Sequence, residues 1–234
     1  MNAPRERVTL EPAYVLHSRE YRDTSRILDV FSVAHGRITL FARGARGPKS
    51  RLASLLMPFR PLLVSWSGRG DAAQLTGAEP HGELSALPSR QVLSGFYLNE
   101  LIINLTTRHD PQPQLFDDYA TALRSLAGDG AAEPTLRVFE KRLLASLGYG
   151  LEFDVEAGTY YRFHVGEGLA EVREDSPGAY SGRCLLALQQ EELADGETLD
   201  VARRLLRQAL DHCLEGRELR TRTVARSMAR RGNS

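Results

Sequence analysis

The sequence predicts an α+β protein: a small five-stranded barrel in the first 80 residues, then an all-helical C-terminal domain broken by an irregular insertion. Three observations carry this. Five short runs rich in Val, Ile, Leu and aromatics precede Pro80; apolar residues recur at helical spacing after it; and residues 150–182 mix glycines with Phe153, Tyr160, Tyr161 and Phe163.

The strands are expected at Pro12–Ser18, Ser25–Ser32, Arg37–Arg43, Phe59–Trp66 and Ala73–Glu79. Turn signals separate them: His35-Gly36, Ser67-Gly68-Arg69-Gly70, and a longer Gly-Pro-Lys loop between the third and fourth. The third run alternates most clearly, with Ile38, Leu40 and Ala42 on one face and Arg37, Thr39, Phe41 and Arg43 on the other. One face belongs to a core; the other is basic and carries a ring. Residues 1–80 therefore form one domain, 81–88 a linker and 89–234 a helical domain. Ser89 is expected to cap a helix to about Thr107 that is apolar almost all round. A second helix covers about Gln114–Leu126, a third opens near Pro134 and closes at Gly148, and Thr198 caps a fourth whose inner face includes Leu205, Leu206 and Cys213. The stretch from Gly150 to Gly182 reads as irregular, with a short hairpin.

Composition limits the function. The chain has 234 residues, 42% hydrophobic and 26% charged, an ordinary globular balance able to bury roughly 70% of its unfolded surface. No apolar run is long enough to span a membrane and no secretory leader is evident, so a cytoplasmic location is expected. Cys184 and Cys213 form no CxxC pair and the six histidines are scattered, so neither a metal nor a disulfide is expected. There is no GxSxG elbow, and Gly44-Ala45-Arg46-Gly47-Pro48-Lys49-Ser50 lacks phosphate-loop spacing, with Pro48 removing a donor. No enzyme class is supported.

Net charge is zero, yet it is unevenly spread. Residues 1–80 carry 12 Lys and Arg against 7 Asp and Glu, residues 81–200 carry 9 against 20, and residues 201–234 carry 9 against 3. No acid lies between Asp29 and Asp71, an interval holding Arg37, Arg43, Arg46, Lys49, Arg51, Arg60 and Arg69. Such a stretch predicts an anionic partner, and cations alternating with a ring point to nucleic acid. The competing reading is a scaffold whose basic barrel docks an acidic protein.

The segment Ala13–Glu79, with AYVLHSREYRDTSRILDVFSVAHGRITLFARGARGPKSRLASLLMPFRPLLVSWSGRG and AQLTGAE, resembles the N-terminal domain of the bacterial DNA repair protein RecO family. YLNELIINL, LFDDYATALRSLAG, LRVFEKRLLASLGYGLEF and GRELRTRTVARSM extend the likeness over nearly the whole chain. The resemblance implies an OB-fold barrel and a helical domain in a recombination mediator. Such a protein binds single- and double-stranded DNA, anneals complementary strands and, with RecR, helps load RecA onto DNA coated with single-strand-binding protein; RecF is a further implied partner, no cofactor is implied, and the location is nucleoid-associated. It implies a DNA surface at Arg37, Phe41, Arg43, Arg46, Lys49 and Arg51, with Arg19 and Arg26 as secondary candidates. It also implies that the acidic C-terminal tail of single-strand-binding protein meets Arg137, or else Arg142, in the helical domain. The alternative for these two is an ordinary ion pair on a helix. Some relatives carry a four-cysteine zinc module after the LGY motif; here Gly150–Cys184 holds Cys184 alone, so no metal carries over.

Overall fold

The computed structural model describes residues 7–47, 50–68, 70, 73–82, 86–128 and 130–232, with residues 231 and 232 described by backbone only. Strands β1 (Arg7–Tyr21), β2 (Ser25–Ser32), β3 (Gly36–Ala42), β4 (Leu62–Ser67) and β5 (Ala73–Pro80) close a barrel in the order β1-β2-β3-β5-β4. All pairings are antiparallel except β3 with β5, which run parallel through Leu40↔Ala73 and Phe41↔Gln74. The alternation read in the third run is the reason: Ile38, Leu40 and Ala42 point inward to meet Val15, Leu28, Val30, Leu62, Val64 and Trp66 in one core. A short helix α1 (Arg51–Leu55), not anticipated, follows β3, and Leu52 and the fully buried Leu56 pack onto that core.

β1 is longer than expected. It serves two neighbours, β2 and β4, and irregularities between Val8 and Glu11 and between Val15 and His17 bend it around the barrel. β4 starts at Leu62 because Phe59 adopts φ 70 and Pro61 cannot donate to a ladder.

Helices α2 (Val92–Leu105), α3 (Pro113–Ala127) and α7 (Arg220–Gly232) group with the barrel; α7 was not foreseen. The contacts thus form one unit of residues 1–129 and 219–234 and another of 130–218, whereas the change from strand to helix falls at 81–88. The first unit is welded at the β1 irregularity: Asn99 donates to Leu16 O (2.8 Å) and accepts from Tyr119 Oη (2.6 Å), all buried. Full burial pushes the Tyr119 phenol well above its ordinary pKa, which keeps it a donor. The carboxylate of Glu100 accepts from the N–H groups of Arg220 and Thr221, capping the start of α7. Ser89 caps nothing: Ser89–Gln91 form a 3₁₀ turn and α2 starts at Val92 without a side-chain cap.

The second unit contains α4 (Ala132–Ser146), the hairpin β6 (Tyr160–His164) and β7 (Gly168–Val172), β8 (Tyr180–Ser181), α5 (Gly182–Gln190) and α6 (Gly196–Cys213). The expected hairpin is therefore present inside the insertion, in a sheet of order β7-β6-β8. α4 ends as its sequence requires, with Gly148 at φ 83 and Tyr149 N–H reaching back to Leu144 O at 2.9 Å. At α6 the cap is Asp195, one turn earlier than expected. Its carboxylate accepts from Thr198 N–H, so Thr198 sits buried inside the first turn. Cys184 is buried and Cys213 half-buried, and both are free.

Candidate nucleic-acid interface

Register sorts the outer face of β1-β2-β3 into rows, each about 6.6 Å from the next because alternate residues share a face. The first row is Tyr14–Phe31–Arg37. It lies under helices: Tyr14 and Phe31 pack edge-on or tilted against Phe116 and Tyr119 of α3, with centroids 5.1–6.2 Å apart. Arg37 donates to Thr106 O (2.8 Å) and Thr106 Oγ1 (3.3 Å) at the end of α2. The second row is His17–Asp29–Thr39. Arg108 reaches over it, donating to Asp29 Oδ1 at 2.8 Å and to Thr39 Oγ1.

The third row, Arg19–Ile27–Phe41, carries no such cover among the described contacts, and Tyr21 stands one step nearer the hairpin tip on the same face. Tyr21 and Phe41, both half-buried, meet edge-on with centroids 5.6 Å apart. The Arg22 guanidinium lies over the Tyr21 ring at 5.2 Å. The loop after β3 docks on this tip: Arg46 N–H bonds Thr24 O (3.1 Å), and the Arg46 guanidinium meets Glu20 (2.7 Å) and Arg22 O (3.3 Å). Both members of the Arg46–Glu20 pair are exposed, so the pair is worth about 0–1 kcal/mol and a phosphate can replace the carboxylate.

The candidate residues therefore divide. Arg19, Phe41 and Arg43 lie at the open end of the face, Arg19 and Arg43 exposed and without an ion-pair partner among the described residues, whereas Arg46 bonds Glu20, which the register sets on the opposite side of the sheet from Phe41. Arg51, also exposed, opens α1 at the far side of the loop. Arg37 shares the face with Phe41 but four residues away, beneath the end of α2, where it holds the fold. Arg26 sits in the row Glu20–Arg26–Ala42, on the opposite side of the sheet from Phe41. Lys49 lies outside the described residues. The sequence reading missed Tyr21 and Arg22; the signal was the Arg19, Tyr21 alternation, which continues β1 outward of Ser18.

In the second unit Arg137 is buried and donates to Glu140 at 2.8 Å, while its Nε finds no hydrogen-bond partner among the described residues. Arg142 grips Glu191 with two nitrogens, at 2.6 and 3.0 Å, and Lys141 joins at 3.2 Å. The Arg142 guanidinium holds the Glu191 carboxyl below its ordinary pKa despite partial desolvation. Glu191 has φ 62 and ends α5, so Arg142 serves that helix end.

A closed barrel of strand order β1-β2-β3-β5-β4 with parallel β3–β5 closure defines an OB-fold protein, and the open face lies on the strands such folds use for oligonucleotides. The family model described as recombination protein O N terminal matches residues 7–83, and its C-terminal counterpart matches residues 90–223. The chain is 43% identical over 237 residues to the DNA repair protein RecO of Nitrosococcus oceani, covering 97% of this chain and 96% of that protein. It is 41% identical to the DNA repair protein RecO of Methylococcus capsulatus (94% of each) and 39% identical to that of Dechloromonas aromatica (96% and 98%). The chain belongs to the RecO family of DNA repair proteins. Among the described residues no helix is long and apolar enough to cross a membrane.

Proposed function

We infer that this protein is a recombination mediator that binds single- and double-stranded DNA without regard to sequence, anneals complementary strands and, with RecR, helps load RecA onto single strands coated with single-strand-binding protein. The observation that carries the reading is the open row Arg19–Ile27–Phe41, with exposed Arg43 following it: it offers guanidiniums to phosphates and a ring to base faces, neither of which depends on base sequence, and Arg46, around the strand tip on Glu20, extends the cationic surface. Residues 1–80 supply the DNA surface, 81–88 the linker and 89–234 the partner surface. In that helical domain Arg137 takes the carboxylate of the single-strand-binding protein tail by exchanging it for Glu140; Arg142, committed to Glu191, is the weaker candidate. RecF is a further partner. The role works by positioning and needs no bond-making step or cofactor, and it belongs in the cytoplasm at the nucleoid.

The test replaces Arg43, Arg46 and Lys49 together with Glu. Annealing of complementary oligonucleotides is expected to be abolished while the circular-dichroism spectrum and thermal midpoint are unchanged. Unimpaired annealing refutes the assignment and moves the surface to the arginines between Arg217 and Arg231. Titrating a tail peptide ending in a Phe carboxylate against Arg137→Ala tests the second site, with loss of binding expected.

A further inference from the structure

We propose that Tyr21 and Phe41 form a stacking platform that selects unpaired bases and lets them go once they pair. The proposal rests on the function proposed above and names what that surface grips. The two rings share one face of the sheet, meet edge-on at 5.6 Å and are only half-buried, so part of each apolar surface meets solvent. Nearly fully buried Ile27, paired in register with Phe41, gives them a firm floor. Arg19 is level with Ile27 in the same row, and Arg22 covers the Tyr21 ring at 5.2 Å.

An unpaired base has two exposed π faces and stacks on such a ring whatever its identity. A base inside a duplex has both faces occupied by its neighbours, and extruding it costs unstacking and unpairing. The arginines attract both kinds of DNA through phosphate; the rings add affinity only for the single strand. Strand pairing on this surface therefore removes the ring contribution and leaves a weaker, phosphate-only complex, which releases the annealed product. Arg22 occupies the place a base takes on Tyr21. When a base displaces it, the guanidinium is free to meet the adjoining phosphate, so charge and stacking change partners together.

The test is Tyr21→Leu with Phe41→Leu, which keeps apolar bulk and every charge but removes the flat faces; Tyr21→Phe is the conservative control. Affinity for a single-stranded oligonucleotide is expected to fall about 5- to 150-fold per stacked base lost. Affinity for a duplex of the same length is expected to stay within about twofold, with an unchanged salt dependence. A 2-aminopurine in the oligonucleotide is expected to be quenched by the parent protein and by Tyr21→Phe, and not by the double variant. Equal losses for single strand and duplex, or no loss for either, overturn the platform. Arg43→Gln with Arg51→Gln separates the two levels. If that variant weakens both ligands while the leucine variant weakens neither, the platform falls and the DNA surface stands; if neither variant weakens either ligand, the DNA surface itself falls.

Discussion

Salt dependence is where the geometry makes its sharpest quantitative demand. Four of the barrel's exposed arginines, Arg19, Arg22, Arg43 and Arg51, lie at or next to the open end of the face and have no carboxylate partner among the described residues, whereas Arg46 is matched by Glu20. If each neutralises one phosphate, the slope of log affinity against log salt for a single strand is about −2.8, which makes binding about 50-fold weaker at 200 mM than at 50 mM salt. Replacing Arg43 and Arg51 with Gln halves the number of contacts. The slope is then expected near −1.4, with a loss of only about sevenfold over the same range. Fluorescence anisotropy of a labelled oligonucleotide, titrated at four salt concentrations, measures both slopes. A variant that binds more weakly but keeps the parent slope refutes the reasoning, because those arginines then act on the fold and not on phosphate. A flat response in the parent refutes the phosphate surface altogether.

Three further outcomes follow from particular contacts. Arg37→Met removes both bonds to Thr106 and is expected to cost about 1–3 kcal/mol of stability by urea unfolding, with single-strand affinity at equilibrium within about twofold of the parent. Gly36→Ala places a Cβ 2.1 Å from Asp110 O at φ 62, so it is expected to cost more than the roughly 1–2 kcal/mol of a left-handed backbone. Gly44→Ala, at φ 66 with nothing within 4 Å, is expected to cost that backbone share alone, and the difference between their urea midpoints checks the clash. Glu191→Gln is expected to destabilise the protein at neutral pH and progressively less in acid. The folded-state carboxyl has a lowered pKa, so its contribution is present above the unfolded-state value and lost as pH falls through the folded one. A stability gap that stays constant from neutral pH down through the acid range contradicts the Arg142–Glu191 assignment.

The barrel was legible because period-2 alternation is enforced by burial: each inward residue of β3 meets the closed core, and the turns carry Gly at positive φ. The ends of elements were less legible. β1 extends through Arg19, Glu20 and Tyr21, where both faces carry polar or aromatic groups and hydrophobicity no longer alternates. α7 went unread because beyond Leu219 it buries little, with Val224 and Met228 exposed, so no apolar stripe marks it. Within the site, alternation established that Arg37 and Phe41 share a face. That the end of α2 then covers the Arg37 end is a tertiary fact that no strand pattern encodes.

The acid-free interval also shows why charge read along a chain and contacts counted in a fold measure different things. Arg60 donates to Ser54 O at 2.8 Å, a neutral acceptor, and so keeps its full charge while being held in place. Arg46, paired with Glu20, contributes little net field until a phosphate replaces the carboxylate. Long-range attraction depends on net charge within about a Debye length of roughly 8–10 Å at physiological salt, whereas bound-state affinity depends on which guanidiniums can reach a phosphate. Arg60→Gln should therefore slow association at low salt while leaving the salt slope of the equilibrium constant unchanged. Arg43→Gln should alter both. Stopped-flow association rates beside equilibrium titrations separate the two, and identical behaviour of the two variants would mean that Arg60 also reaches the bound strand.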